Sequence, residues 1–254
     1  MYTYAALVDI GVSEHQNDDR VLISGQVLDS GSSFGTIEEA YFIAAVCDGV
    51  GGLAQGYRAA ETTLNFMAHL NRSGVEAETL KKAIEESNRR VRALQVSENL
   101  CGAMCTTIAG IYAEDTRAFV FNAGDSRVYR FRYKYLLQLS KDHSLVQDLV
   151  DMGELQKEDV RSHVQKNIIN KCIGHEETVN PRVVEFSEDF NKGDIILICS
   201  DGITDCVEDS KLRDIMMQHK SAKDLEACCR AIMELAVASG SLDNMSIILI
   251  RKDD

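Results

Sequence analysis

The sequence predicts an α+β fold in which antiparallel β-sheets pack against each other and carry helices on their outer faces. Two observations lead there. Strand-like segments are numerous and grouped, near 3–9, 20–27, 41–47, 104–112, 117–123, 127–132, 183–187, 194–199 and 245–251. Helical spacing comes in blocks: two consecutive helices near 57–70 and 77–97, then a pair near the C-terminus, clearest over 221–238, before the last strand. A parallel sheet would need strands and helices to alternate, and they do not.

Each element has its own local signal. The runs YFIAAVC (41–47), FVFNAG (119–124) and IILICS (195–200) are short, apolar and rich in β-branched or aromatic residues, as buried strands are. In the second helix Leu80, Ile84, Val91 and Leu94 share one face; in the last, Leu225, Cys228, Ile232 and Leu235 do. Residues 144–170 are polar and mildly helical between strand signals, and read as a surface flap over about 145–170. With a single proline (Pro181), no repeat and no low-complexity tract, residues 1–254 are expected to form one domain.

Composition narrows the function. Acidic residues outnumber basic ones 40 to 27, giving a net charge of −13. A chain this acidic lacks the basic face that nucleic-acid phosphates require. No apolar stretch approaches the ~18 residues of a membrane span, and the first residues lack a basic leader region, so a cytoplasmic protein free of membrane contact is expected. The 8 cysteines show no CxxC or Cys/His ligand spacing. Cys47, Cys172 and Cys199 lie in apolar runs as small hydrophobes. Cys101, Cys105, Cys228 and Cys229 read as packing residues with redox control as the alternative.

Five aspartates stand out: Asp19 in NDDR (17–20), Asp48 in DGVGG (48–52), Asp125 in AGDSR (123–127), Asp201 in SDGITD (200–205) and Asp243 in DNMS (243–246). Three follow buried strands, where a carboxylate is costly unless something positive meets it. Oxygen-only donors favour Mg²⁺ or Mn²⁺ over zinc. Two such ions about 3.5–4 Å apart can activate a shared water and neutralise a phosphoryl group. The chain carries no GxSxG elbow, phosphate loop or CxxxxxR loop to supply another nucleophile or phosphate cradle.

These motifs resemble, in order, those of the metal-dependent protein phosphatases of the 2C type (the PPM family), particularly the bacterial serine/threonine branch. The matching pieces are DxG (9–11) with NDD (17–19), DGVGG (48–52), CTT (105–107), AGDSRVYR (123–130), KDHS (141–144), HVQKNIINKCIG (163–174), SDGITD (200–205) and DN (243–244). The resemblance implies a four-layer αββα sandwich, two central antiparallel sheets flanked by helix pairs, with the metals in a cleft at one end. It implies hydrolysis of phosphoserine and phosphothreonine in proteins, by water activated between two Mn²⁺ or Mg²⁺ ions. Asp48 would bridge the ions and the Gly49 carbonyl would complete the second site. Asp201 and Asp243 would hold the first ion; Asp19, with Asp18 beside it, would contact the second through carboxylate or water. A third, weaker ion would sit between Asp125 and Asp201. Thr106 and Asn244 would support these ligands from behind. The expected partners are phosphorylated proteins, substrates of a bacterial serine/threonine kinase, met by a monomer.

One departure matters. Where the family usually carries a phosphate-clamping arginine, five residues before the metal Asp of its first motif, this chain has Glu14. Arg20, Arg58, Lys171 or His15 could supply the contact, and the residues do not choose among them. Val50 replaces the histidine of animal relatives, as in bacterial members. His143, His163, Ser126 and Ser144 read as structural or capping residues, and Gly51 and Gly52 as allowing close backbone approach. Glu14 keeps a rival open: a pseudophosphatase, or a regulatory phosphatase tuned to one partner with weak turnover on generic substrates.

Overall fold

The computed structural model describes residues 1–50, 55–100, 102–114, 117–186, 190–219 and 221–253. Strands β1 (Tyr2–Asp9), β4 (Gly31–Ile37), β8 (Arg127–Arg132), β9 (Tyr135–Gln138), β11 (Ile195–Cys199) and β12 (Met245–Lys252) form one six-stranded sheet, ordered β4-β1-β12-β11-β8-β9. The second six-stranded sheet holds β2 (Arg20–Ile23), β3 (Gln26–Leu28), β5 (Tyr41–Cys47), β6 (Ile108–Glu114), β7 (Arg117–Ala123) and β10 (Arg182–Glu185), ordered β10-β7-β6-β5-β2-β3. Every pairing is antiparallel.

Alternation along each strand sorts its side chains into layers. Ala6 and Val8 of β1, Phe42, Ala44 and Val46 of β5, Ile196 and Ile198 of β11, and Ile248 and Ile250 of β12 meet between the sheets. The other face of β5 (Ile43, Ala45, Cys47) packs on α1 (Gly56–Met67) and α2 (Ala77–Ser97) through Leu64, Leu80, Ile84 and Val91. On the far side Leu197, Cys199, Ile247 and Leu249 meet α5 (Asp209–Gln218) and α6 (Leu225–Ala238) through Leu212, Met216, Cys228 and Ile232. The result is the expected αββα sandwich. Because both faces of these strands are covered, they carry unbroken apolar runs in place of a half-polar alternation. Among the described residues no helix is long and apolar enough to cross a membrane.

The helix expected over 77–97 has those bounds, while several other elements differ for visible reasons. The strand expected over 20–27 is a hairpin, because Ser24 and Gly25 take left-handed φ values of 47° and 81° and turn the chain. Strand β6 starts at Ile108, four residues later than expected over 104–112, because Thr106 leaves the ladder to bridge Gly49 and Ile173. β4 (GSSFGTI) and β9 (YLLQ) escape a pattern search, one polar and glycine-containing, the other short; both are edge strands. The C-terminal helix starts at Leu225, after a 3₁₀ turn at Ala222–Asp224. Residues 145–170 hold α3 (Leu145–Asp151), whose first turn Ser144 caps by accepting from the Gln147 N–H at 3.4 Å, and a 3₁₀ turn at Lys157–Ser162. Gly51, Gly52 and Cys101 lie outside the described residues.

Candidate active site

Antiparallel pairing gathers the aspartates. The C-terminus of β5 lies beside the N-terminus of β2 (Cys47↔Arg20), so Asp48 meets Asp18 and Asp19. The C-terminus of β11 lies beside the N-terminus of β12 (Cys199↔Ile247), so Asp201, opening α4 (Asp201–Thr204), meets Asp243 and Asn244. Glu14, Asp18, Asp48, Asp201 and Asp243 line one cleft of about 350 Å³, with Gly49, Asn167 and Ile169 among its other walls. Asp125, after β7, faces Asp201 and Asp205 across a smaller adjoining cavity.

The supports are specific. The Asp48 carbonyl accepts from the Thr107 N–H and the Thr106 hydroxyl, both at 2.8 Å, and the Asp48 N–H donates to Thr107 Oγ1 at 3.1 Å. Asn244 staples the 10–18 loop to the start of β12. Its side-chain oxygen accepts from the Asp18 N–H at 2.7 Å, and its amide donates to the Ile10 carbonyl at 2.7 Å and the Gln16 carbonyl at 3.2 Å. Asp18 is fixed in turn by the Tyr57 N–H at the start of α1, at 3.2 Å. The Ser200 hydroxyl donates to Asp19 Oδ2 at 2.7 Å and accepts from the Ser246 N–H at 3.0 Å. Asp19 is thus turned onto Ser200 beneath the cleft, and Asp18 is the member of the pair that lines it.

Close packing leaves no room at Gly202, where a Cβ would stand 2.0 Å from the Asn244 carbonyl oxygen. Gly202→Ala is expected to cost about 2–3 kcal/mol, as overpacking does, and to loosen the Asp243–Asn244 turn. Urea denaturation checks the first effect and Mn²⁺ calorimetry the second.

Burial dominates the electrostatics. It pushes Asp48 and Asp125 well above the usual carboxylate range, with neighbouring carboxylates, Asp201 foremost, adding to the shift. Burial lifts Asp201 to about 6 and Asp19 to about 7, the latter held back by hydrogen bonds from Ser200 and Ser246. Asp243 is raised by burial as well. Asp48 and Asp201 are close enough for their carboxyl groups to hydrogen bond, and two carboxylates so placed cannot both ionise without a nearby cation.

The residues fit divalent cations. Their donors are oxygens only, and Oδ1 of Asp125 and Oδ1 of Asp201 are shut off from solvent with no hydrogen-bond partner among the described residues. Among the described residues no three His, Cys, Asp or Glu side chains are drawn together as a closed ligand set; the carboxylates share the cleft walls without clustering more tightly.

The cations weighed as stand-ins for a phosphate clamp are occupied elsewhere. Arg20 is buried and donates to the carbonyls of Asn17 and Asp19 at 2.8 and 2.7 Å. Arg58 binds Glu98 through both terminal nitrogens at 2.5 Å, and Lys171 Nζ donates to the Asn180 carbonyl at 3.4 Å. His15 is exposed, and none of these four lines the cleft. His143 accepts from the Gly124 N–H at 3.3 Å and holds the loop before Asp125. Ser126 shares a 2.7 Å hydroxyl contact with Thr107.

Sequence reasoning passed over Ser200 and Ser246, although each lies within three residues of a motif aspartate and a hydroxyl there is a local signal. Lys166, Asn167 and Ile169 lie in the HVQKNIINKCIG stretch (163–174), which gives them no individual role, and they reach the site by the path of the 145–170 segment.

Two stacked antiparallel sheets with paired helices outside carry a cleft walled by carboxylates, whose oxygen donors suit divalent cations. Residues 22–235 match the family model described as Protein phosphatase 2C, and the chain belongs to that family. It is 32% identical over 218 residues to the serine/threonine phosphatase stp of Listeria monocytogenes, covering 83% of this chain and 84% of the relative. The crystal structure of the Mycobacterium tuberculosis serine/threonine phosphatase PstP/Ppp superimposes with a TM-score of 0.84 at 29% identity, over 100% of this chain and 99% of that one. A structure of the PstP catalytic domain in complex with two manganese ions gives a TM-score of 0.81 at 28% identity, over the whole of both chains. The chain is a protein-serine/threonine phosphatase.

Proposed function

We propose that this enzyme removes phosphate from phosphoserine and phosphothreonine of cytoplasmic proteins, as a one-domain monomer opposing a serine/threonine kinase, with two Mn²⁺ or Mg²⁺ ions in its acidic cleft. Asp48, the Gly49 carbonyl, Asp201 and Asp243 would hold them, with Asp18 lining the cleft and Asp19 bracing it through Ser200. A third ion would lie between Asp125 and Asp201. The observation that carries this reading is the convergence of five acidic side chains on one cleft, beside two buried carboxylate oxygens without partners. When bound, the cations supply charge that neutralises phosphoryl oxygens and lowers the pKa of water. The chain's own part is positioning. Thr106 and Thr107 fix the Asp48 backbone, Asn244 fixes the 10–18 loop, and the 145–170 segment, proposed as a flap, contributes Asn167 and Ile169 to the cleft wall.

Glu14 on the cleft wall favours a second reading: an enzyme tuned to one partner, which supplies its own positive charge and turns over generic substrates poorly. Both readings are tested by phosphate release from phosphopeptides and from an aryl phosphate, with Mn²⁺ and then with chelator. Metal-dependent release supports the phosphatase reading, and silence on every substrate would sink it. Glu14→Arg is expected to raise kcat/KM on the aryl phosphate about tenfold, equivalent to about 1.4 kcal/mol. No gain would remove Glu14 as the cause of weak generic turnover.

A further inference from the structure

Beside the acidic cleft lies a much smaller cavity of about 20 Å³, enclosed by Asp125, Asp201, Thr204, Asp205, Arg161 and Lys166 among others. That volume suits one water-sized occupant. Its chemistry points to a cation, because the partnerless Oδ1 atoms of Asp125 and Asp201 belong to residues of its wall. Three positive groups already stand there: Arg127, engaged by Asp142 at 2.7 Å, Arg161, and Lys166. Lys166 Nζ donates to Asp205 Oδ2 at 2.5 Å, and the same ammonium draws the Asp201 carboxyl down against its burial.

Lys166 and Arg161 both come from the 145–170 segment, and they hold the 201–209 turn in different ways. Arg161 donates to the carbonyls of Thr204 at 3.2 Å and Val207 at 2.8 Å and pairs with Asp209 at 3.5 Å, a carboxylate that is not part of the cavity wall. Lys166 holds a carboxylate that an incoming cation would also attract. Its side chain is 31% exposed, so the ammonium can move into water at small cost. Asn167, the next residue, is on the wall of the main cleft. A change in the Lys166 contact therefore reaches the site directly along the chain.

We propose that Lys166 is the internal counterion of the Asp125–Asp201–Asp205 cavity, and that a divalent cation entering the cavity displaces it, so that cation binding there and docking of residues 157–168 oppose each other. The proposal rests on the reading that Asp201 takes divalent cations. No covalent bond changes; an ammonium and a metal ion exchange places beside the same carboxylates. Linkage makes the effect reciprocal: the factor by which the cation loosens the segment is the factor by which the docked ammonium weakens the cation.

The test is hydrogen exchange of the full chain by mass spectrometry across 157–168, with Mn²⁺ titrated beyond saturation of the tighter sites that calorimetry resolves. In wild type, exchange of these amides is expected to accelerate as the weaker site fills. In Lys166→Gln it is expected to be fast without metal and to stay so, with the weaker site binding about tenfold tighter. Lys166→Arg, which keeps the charge, should behave as wild type. Exchange indifferent to Mn²⁺ in wild type, or unchanged weak-site affinity in Lys166→Gln, overturns the proposal while tight Mn²⁺ binding leaves the phosphatase reading standing. Absence of any Mn²⁺ binding to the wild type overturns both.

Discussion

Asp201→Asn is expected to lower metal-dependent turnover of a phosphopeptide by about 10³-fold, since metal charge supplies several kcal/mol at a phosphoryl transition state and each ~1.4 kcal/mol is tenfold. The same substitution is expected to make the metal-free protein more stable. Asp201 lies within hydrogen-bonding reach of Asp48, and its burial disfavours the charged form. An amide of the same shape removes one member of that repulsion, leaving Asp48 with a neutral neighbour. Thermal melting in chelator should therefore show a higher Tm for Asp201→Asn than for wild type, with the order reversed under saturating Mn²⁺. Opposite shifts under the two conditions would identify a ligand site; a loss of Tm in both would mark Asp201 as a structural residue and sink its assigned role.

The second large effect is on pH dependence. Burial lifts the folded pKa values of Asp19 and Asp201 to about 7 and about 6, against an ordinary 3.8, and raises Asp48 and Asp125 well above it too. A carboxyl whose folded pKa is raised keeps its proton in the folded state while the unfolded chain has lost it. The folded state thus binds more protons above pH 3.8, and stability falls as pH rises through the folded pKa. His143 opposes this at lower pH: burial holds its folded pKa near 4, so its contribution is lost as pH falls below about 6.5. Between about pH 6.5 and 8 the contribution of His143 fades and the aspartates set the slope. In chelator Asp19 and Asp201 are expected to lower the Tm by about 2–4 °C across that interval, each kcal/mol being worth ~2–4 °C in a chain of this size, and Asp48 and Asp125 act in the same direction. With Mn²⁺ the slope should flatten or reverse, because deprotonated ligands bind metal better. A Tm that rises from pH 6.5 to 8 without metal would contradict the buried-carboxylate account.

Regulation of the same site would follow if Lys166 exchanges with a cation. The weaker metal would then set how firmly residues 157–168 sit on the 201–209 turn. Substrate access and metal occupancy would be tied through one ammonium.

Much of the site was legible in the chain because its signals are local. Asp48, Asp125 and Asp201 each close an apolar run that only a buried strand explains, and a buried carboxylate demands a positive partner wherever it is folded. Runs apolar at every position, such as YFIAAVC, already imply two covered faces and hence a layered sandwich. Edge strands β4 and β9 were not legible, since strands paired on one side carry a weaker pattern. The role of Ser200 could have been read beside Asp201, but its partner Asp19 lies 181 residues away.

The sequence by itself determined the fold class, the oxygen-only chemistry and the order of the acidic motifs, because burial and ligand preference depend on a residue and its near neighbours. Tertiary structure alone decided that Asp18 lines the cleft while Asp19 turns to Ser200, that Glu14 stands on the cleft wall with Arg20, Arg58 and Lys171 engaged elsewhere, and that Lys166 reaches Asp205. Those outcomes depend on antiparallel registers such as Cys47↔Arg20 and Cys199↔Ile247, which join segments far apart in the chain. A one-residue slip in such a register would exchange the two faces of a strand, so the pairing decides which carboxylate meets which.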